Sequence, residues 1–131
     1  MTTDLALLAY SALLTWVMLI VASGLHTKTW TLAGIKRGVG NRDDLPERTP
    51  LAGRADRAAK NMLENFVLFA ALLFTARAAG GDQARIELGA QLFFWARLVY
   101  FPLYLAGIRY LRTIVWTVGL VGLALLFSVV V

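Results

Sequence analysis

Residues 53–66 read GRADRAAKNMLENF and lead directly into the apolar run of residues 66–76. At about 100° per residue on a helix, five polar side chains of this stretch fall within one arc of about 120°. An ionised side chain deep in a bilayer costs about 2.5–3.5 kcal/mol on insertion scales, so it usually pairs or binds a ligand. The arc combines both signs of charge with an amide, which suits a small zwitterionic ligand better than lipid. Its members are Arg54, Arg57, Lys60, Asn61 and Glu64.

The composition of the chain indicates a membrane protein. Apolar residues make up 59% of its 131 residues and charged residues 16%, and the mean hydropathy is +0.66. A water-soluble domain would carry about a quarter of charged residues. The absence of cysteine excludes disulfides, thiolate metal sites and a protein thiol nucleophile, and the single His26 argues against a histidine-rich metal site. We therefore predict one all-α integral membrane domain over residues 1–131, without a metal site.

Four hydrophobic segments are long enough to cross about 30 Å of hydrocarbon as helices. They must be helical, because an isolated strand in lipid would leave its backbone groups unpaired. Asp4 and the absence of a basic residue before residue 5 argue against a cleaved signal peptide, with cleavage after residues 22–24 as the minor alternative. The sequence thus predicts a four-transmembrane-helix bundle with a long first loop over residues 26–56. The predicted spans are residues 5–25, 57–78, 86–108 and 113–131.

The distribution of lysine and arginine predicts how the bundle crosses the membrane. Ten basic residues lie on the side of the first and third loops, and only Arg77 and Arg85 lie on the opposite side. Because cytoplasmic loops carry an excess of basic residues, we predict that loops one and three are cytoplasmic and that both termini lie opposite. This topology accounts for the net charge of +5, so no nucleic-acid partner is expected. The ten residues are Lys28, Lys36, Arg37, Arg42, Arg48, Arg54, Arg57, Lys60, Arg109 and Arg112.

A second group of polar residues lies in the third span, where residues 96–112 read ARLVYFPLYLAGIRYLR. Arg97, Tyr100 and Tyr104 stand at positions i, i+3 and i+7, within an arc of about 60° on a helix. Spans two and three run antiparallel, and their lengths allow a Glu64–Arg97 contact within or between subunits. Such a contact has a purely structural ion pair as its alternative reading. The basic residues of the first polar arc have the alternative role of interfacial anchors.

Spans two and three together resemble the signature of the MAPEG family, the membrane-associated proteins of eicosanoid and glutathione metabolism. In span two the pattern covers residues 57–64 and continues as ENFVLFAALL. The resemblance is to a bacterial-type member and covers nearly the whole chain, being weakest in the first span and loop. The matching positions are Arg57, Ala58, Asn61 and Glu64 in span two, and Arg97, Tyr104, Arg109 and Arg112 in the second half.

The resemblance implies a homotrimer with glutathione, as co-substrate, held between neighbouring subunits near the cytoplasmic face. It implies that Arg112 activates the glutathione thiol beside the hydroxyl of Thr113, with Arg109 as the alternative arginine. For the basic residue at the end of helix one, Lys28 and Arg37 are the candidates. The glutathione-binding residues implied by the resemblance are Arg57, Asn61, Glu64, Arg97, Tyr104 and Arg109.

These features predict a membrane-embedded glutathione-dependent transferase or peroxidase. The activated thiol would attack a lipophilic electrophile or hydroperoxide that arrives from the lipid bilayer. Lys60 and Tyr100 stand where some members have arginine and histidine, so the family's hydrophobic-substrate pocket is not carried over to this chain. One alternative is a non-enzymatic member of the same family that binds or scaffolds at the membrane. A small multidrug exporter is disfavoured, because residues 5–25 contain no buried carboxylate.

Overall fold

The computed structural model describes residues 1–131 and contains five α-helices and no strand. Four of the helices are long and apolar enough to cross a membrane. The predicted all-helical fold is therefore confirmed, and it contains four helices that could span a membrane, as predicted. The fifth helix is short and lies within the predicted first loop. The helices are α1 (Thr3–Thr27), α2 (Leu32–Val39), α3 (Pro50–Ala78), α4 (Gln83–Leu105) and α5 (Arg109–Val130).

Helix α3 begins well before the predicted start of the second span at residue 57. Its first residue is Pro50, and the hydroxyl of Thr49 accepts a hydrogen bond from the Ala52 amide at 3.1 Å. Threonine at the cap and proline in the first turn are both favourable at a helix start, because they satisfy or remove unpaired amides. The helix therefore includes part of the basic segment that was predicted as loop.

The turn between α4 and α5 is shorter than predicted. Helix α4 ends at Leu105 rather than residue 108, and α5 begins at Arg109 rather than residue 113. Gly107 has a φ of +75°, a conformation that glycine adopts without steric cost, and it permits the tight reversal. Arg109 and Arg112 therefore lie on the first turn of α5 instead of in a loop.

The two ends of the bundle differ in character. At one end, named the site end here, α1 and α4 finish while α3 and α5 begin. At the opposite end, the fully buried carboxylate of Asp4 accepts hydrogen bonds from Arg77 at 2.7 Å and from Gln83 at 2.9 Å. These bonds join the start of α1 to the end of α3 and the start of α4. The long helices thus alternate in direction around one core.

The interior is apolar and the outer surface is also rich in large apolar side chains. In the core, Phe69 of α3 stacks on Phe93 of α4 with ring centroids 4.2 Å apart. On the outside, Trp16, Val67 and Ile114 each expose about 60% of their surface or more. A soluble monomer rarely exposes large contiguous apolar surface, whereas lipid covers it without cost. This surface is the one expected of a multi-pass membrane protein.

Glycines in α5 allow α4 and α5 to approach closely, and this predicts different effects for two neighbouring substitutions. A Cβ atom at Gly122 would lie 2.6 Å from the carbonyl oxygen of Gly89 and 2.9 Å from the amide of Phe93. At Gly119 the nearest atom, in Ala96, would be 3.7 Å away, which is an ordinary contact. We expect Gly122→Ala to lower the free energy of unfolding by about 1–3 kcal/mol.

Gly119→Ala is the matched control, and it should leave stability unchanged or slightly higher because alanine favours the helix. Thermal unfolding of the detergent-purified variants, followed by helical circular dichroism, compares the two. Equal midpoints for both variants would contradict the close approach of α4 and α5 at Gly122.

Candidate functional site

An open cavity of about 540 Å³ lies at the site end, between the start of α3 and the turn that joins α4 to α5. Neither an acidic residue nor a large apolar residue lines it. The side chains in this cavity, named the arginine cavity here, create a strongly positive potential that attracts anions. Its five arginines are Arg48, Arg54, Arg57, Arg109 and Arg112.

Local backbone structure brings these arginines together. Arg54 donates from Nε to the Leu105 carbonyl oxygen at 2.9 Å, which fixes the first turns of α3 against the end of α4. Helix α5 starts at Arg109 without a side-chain cap, so the amides of its first turn have no capping side chain. Those amides and the positive end of the helix dipole add to the positive potential of the arginines. The arrangement is suited to a ligand with carboxylate or phosphate groups.

A second, smaller cavity of about 220 Å³ lies next to the first and shares one lining residue with it. Arg112 lines both cavities, and its guanidinium carbon lies 4.3 Å from the ring centroid of Tyr104. The second cavity is named the tyrosine cavity here. The two cavities are therefore neighbours on either side of the Arg112 side chain. The tyrosine cavity is lined by Asn61, Tyr100, Tyr104, Arg112, Thr113 and Trp116.

Arg97 lies behind the tyrosine cavity and is only 2% exposed. Its Nη2 atom donates to the side-chain oxygen of Asn61 at 2.7 Å and to the Asn61 carbonyl at 3.2 Å. Its guanidinium carbon also stands 4.8 Å from the ring centroid of Tyr100, a cation–π distance. The Nη1 atom is buried and has no hydrogen-bond partner. One donor of a buried cation therefore remains available.

The expected contact between Glu64 and Arg97 is not made within the subunit. The three ion pairs of the chain are formed by other residues, and the Glu64 side chain is exposed. Three residues along a helix correspond to a rotation of about 60° from the starting direction, so Glu64 points aside from Asn61. Asn61 takes the position next to Arg97 instead. A contact of Glu64 with a neighbouring subunit stays a prediction.

The polar arc of α3 divides into two groups in the structure. Arg57 is exposed, and its Nε donates to the hydroxyl of Tyr104 at 3.3 Å. Lys60 turns away from the site and forms an ion pair with Asp56 at 3.0 Å. Asp56 also lies 3.8 Å from Arg48. The side of α3 that faces α4 is therefore the part of the arc that belongs to the site.

Three residues from the sequence analysis have other partners within the subunit. The hydroxyl of Thr113 donates to the Arg109 carbonyl at 3.1 Å, so it reaches a thiolate only by rotating. Arg37 donates to the Thr27 carbonyl, with Nη2 2.8 Å away, and thereby caps the end of α1. Lys28 is the residue that ends α1, in a left-handed conformation. Neither Lys28 nor Arg37 lines the two cavities described here.

Arg48, Arg54 and Trp116 line the cavities but were not among the site residues predicted from the sequence. Arg54 was placed in the polar arc but not among the ligand residues, although it precedes Arg57 by three positions on the same face. Trp116 follows Arg112 by one helical turn, and its Nε1 is buried without a partner. For Arg48 no helical spacing relative to a predicted site residue was available, because Arg48 lies before α3 and its position depends on where that helix begins.

The four apolar spanning helices and the charged region at one end define a multi-pass helical membrane protein with a polar ligand cavity. A comparison with protein-family models matches residues 4–131 to the MAPEG family. The chain therefore belongs to the MAPEG family, and the resemblance noted in the sequence is confirmed. Membership supports, in general terms, a membrane function related to glutathione. No curated protein matches the chain.

Proposed function

We propose that the protein is a membrane-embedded glutathione-dependent transferase or peroxidase. The observation that carries this proposal is that the arginine cavity and the tyrosine cavity lie side by side and share Arg112. Glutathione has two carboxylates, one ammonium group and a thiol, so it needs several cations and one anion in a single cleft. The family membership of residues 4–131 supports glutathione as the co-substrate.

The arginines supply the groups that bind the carboxylates. A guanidinium binds a carboxylate through two parallel hydrogen bonds, and these charge-assisted bonds are about twice as strong as neutral ones. Arg57 lies at the boundary of the two cavities, beside the hydroxyl of Tyr104. Asn61 lines the tyrosine cavity and accepts a hydrogen bond from the buried Arg97, so Arg97 holds Asn61 in place at the back of the site. Direct contact of Arg97 with glutathione stays a prediction, because its unpaired Nη1 is buried and must become accessible first.

We assign activation of the thiol to Arg112. Lowering the pKa of a thiol from about 8.5 to about 6.5 requires about 2.7 kcal/mol of preferential stabilisation of the thiolate. One hydrogen bond from a charged donor contributes about 1.5–3 kcal/mol, so a single arginine is sufficient. Thr113 would add a second donor if its hydroxyl rotates from the Arg109 carbonyl. The thiolate would then attack a lipophilic electrophile or reduce a hydroperoxide that enters from the bilayer.

We further propose that the functional unit is a homotrimer with each site completed by a neighbouring subunit. Glu64 belongs to the family pattern, yet it is exposed and has no partner within its own subunit. A carboxylate on an outer face of a spanning helix is costly in lipid, so a protein or ligand partner is expected there. Glutathione bound between subunits would place its ammonium group against this carboxylate.

The topology of the protein can be tested independently of its chemistry. Loop one and the α4–α5 turn meet at the site end, and the basic residues concentrated there favour the cytoplasmic side. We expect single cysteines placed at Asn41 and at Val131, both exposed positions, to react with an impermeant thiol reagent from opposite sides of the membrane. The natural absence of cysteine removes background labelling. Labelling of both positions from one side would rule out four spans.

The experiment that tests the function combines binding with turnover. Detergent-purified protein is titrated with glutathione by calorimetry and then assayed with glutathione and a lipophilic electrophile or hydroperoxide. Saturable binding and turnover together would support the proposed enzyme. Binding without turnover over a broad set of electrophiles would favour the non-enzymatic alternative, and no binding would overturn the assignment of glutathione.

A further inference from the structure

Helix α2 carries an apolar face that no other part of the subunit covers. Leu32, Ile35 and Val39 expose 71%, 51% and 84% of their surface. On a helix these three positions fall within an arc of about 60°. Trp30, just before the helix, is 68% exposed. Within the subunit α2 contacts only α1, so the apolar face has no protein partner there.

The helix is nevertheless held firmly at the end of α1. Gly34 faces α1, and a Cβ atom at that position would collide with the backbone of Lys28. Arg37 donates to the carbonyl oxygen of Thr27 at 2.8 Å, and the Thr31 hydroxyl donates to the Lys28 carbonyl at 2.8 Å. Because α1 spans the membrane, these contacts fix α2 at the depth where that span ends, which is the headgroup layer.

The charges around this face match a lipid surface. Lys36 is exposed and lies about 40° from Leu32 around the helix, on the flank of the apolar arc. Lys28 ends α1 directly before α2. Tryptophan and lysine are both enriched at the membrane interface, where an apolar body enters the acyl region and a polar group stays with the headgroups. Anionic headgroups would supply acceptors for Lys36 next to the acyl chains that would cover the apolar arc.

From these observations we propose that α2 with Trp30 is an interfacial lipid-binding element. The apolar face of Leu32, Ile35 and Val39 inserts among the acyl chains next to the end of α1. Lys36 binds the phosphates of anionic lipid headgroups above them. Interfacial amphipathic helices bury their apolar face about 5–10 Å into the boundary between headgroups and acyl chains, and anionic lipid strengthens their binding. This role does not depend on glutathione chemistry.

Site-directed spin labelling tests the proposal, because the chain has no cysteine of its own. Nitroxide labels are placed at Ile35→Cys and at Ala33→Cys, two exposed positions about 160° apart on α2. The full-length protein is reconstituted in phosphatidylcholine vesicles with and without phosphatidylglycerol. Collision with oxygen, which concentrates in lipid, is compared with collision with a water-soluble nickel complex.

We expect the label at position 35 to collide mainly with oxygen, at a depth of about 5–10 Å, and the label at position 33 mainly with nickel. Phosphatidylglycerol should move the label at position 35 deeper, and Lys36→Gln should reduce that response. Equal nickel collision at both positions would overturn the proposal. A label at position 35 that is shielded from both reagents would also overturn it, since that result indicates a covering protein surface.

Discussion

Replacing Arg112 with alanine is expected to reduce turnover far more than it reduces glutathione affinity. Arg112 lines both cavities and lies over Tyr104, so it would reach the central, thiol-bearing residue of a glutathione that extends across the two cavities. If the thiol pKa rises from about 6.5 to about 8.5, the thiolate fraction at pH 7 falls from about three quarters to about 3%. Ultraviolet absorbance of the thiolate in the glutathione complex measures this fraction directly, and a turnover assay measures its consequence.

Arg109→Ala is the matched control for this prediction. Arg109 lies three residues before Arg112 on the same helix and lines only the arginine cavity, where four other arginines remain. We expect it to weaken carboxylate binding mildly and to leave the thiolate absorbance intact. If Arg109→Ala abolishes the thiolate and Arg112→Ala does not, the two roles are exchanged. If neither variant changes it, activation by these arginines is wrong.

The parts of the fold that depend on long patterns were predictable from the sequence. Uncharged runs such as residues 113–131 identify spans, because lipid imposes one requirement over some twenty consecutive residues. The helix ends were predicted less well, since they depend on single residues. Thr49 and Pro50 start α3 early, and Gly107 shortens the α4–α5 turn. Hydropathy averages over many positions and does not resolve such local signals.

The candidate site shows the same division between patterns and particular contacts. Periodicity on one helix grouped Asn61 with Glu64 and Arg97 with Tyr104, because residues three, four or seven apart share a face. It did not show that Asn61 rather than Glu64 contacts Arg97, since that depends on how α3 and α4 are rotated against each other. Arg48 lines the arginine cavity because α3 begins just after it, at Pro50. The periodicity of apolar residues does not predict where a helix begins.

The second large effect is expected for Glu64→Gln, which should change glutathione affinity without changing the free energy of unfolding. Its side chain is exposed and forms no ion pair, so Glu64→Gln should leave the isolated subunit fold unchanged. If Glu64 binds the glutathione ammonium, removal of its charge leaves a buried cation unpaired, at a cost of about 2–5 kcal/mol. We therefore expect glutathione affinity to fall by about 30-fold or more in a calorimetric titration.

Asn61→Ala is the comparison variant, because it should lower both glutathione affinity and stability. Asn61 is the side-chain partner of the buried Arg97, so its loss should lower both glutathione affinity and the free energy of unfolding, the latter by about 1–3 kcal/mol. Glu87→Gln, on α4 near the opposite end of the bundle, removes the same charge far from the site and should change neither quantity. If Glu64 served only as a structural partner, its removal would lower the free energy of unfolding more than the affinity for glutathione. If Glu64→Gln binds glutathione as tightly as the parent protein, the ammonium of glutathione is bound by a different residue.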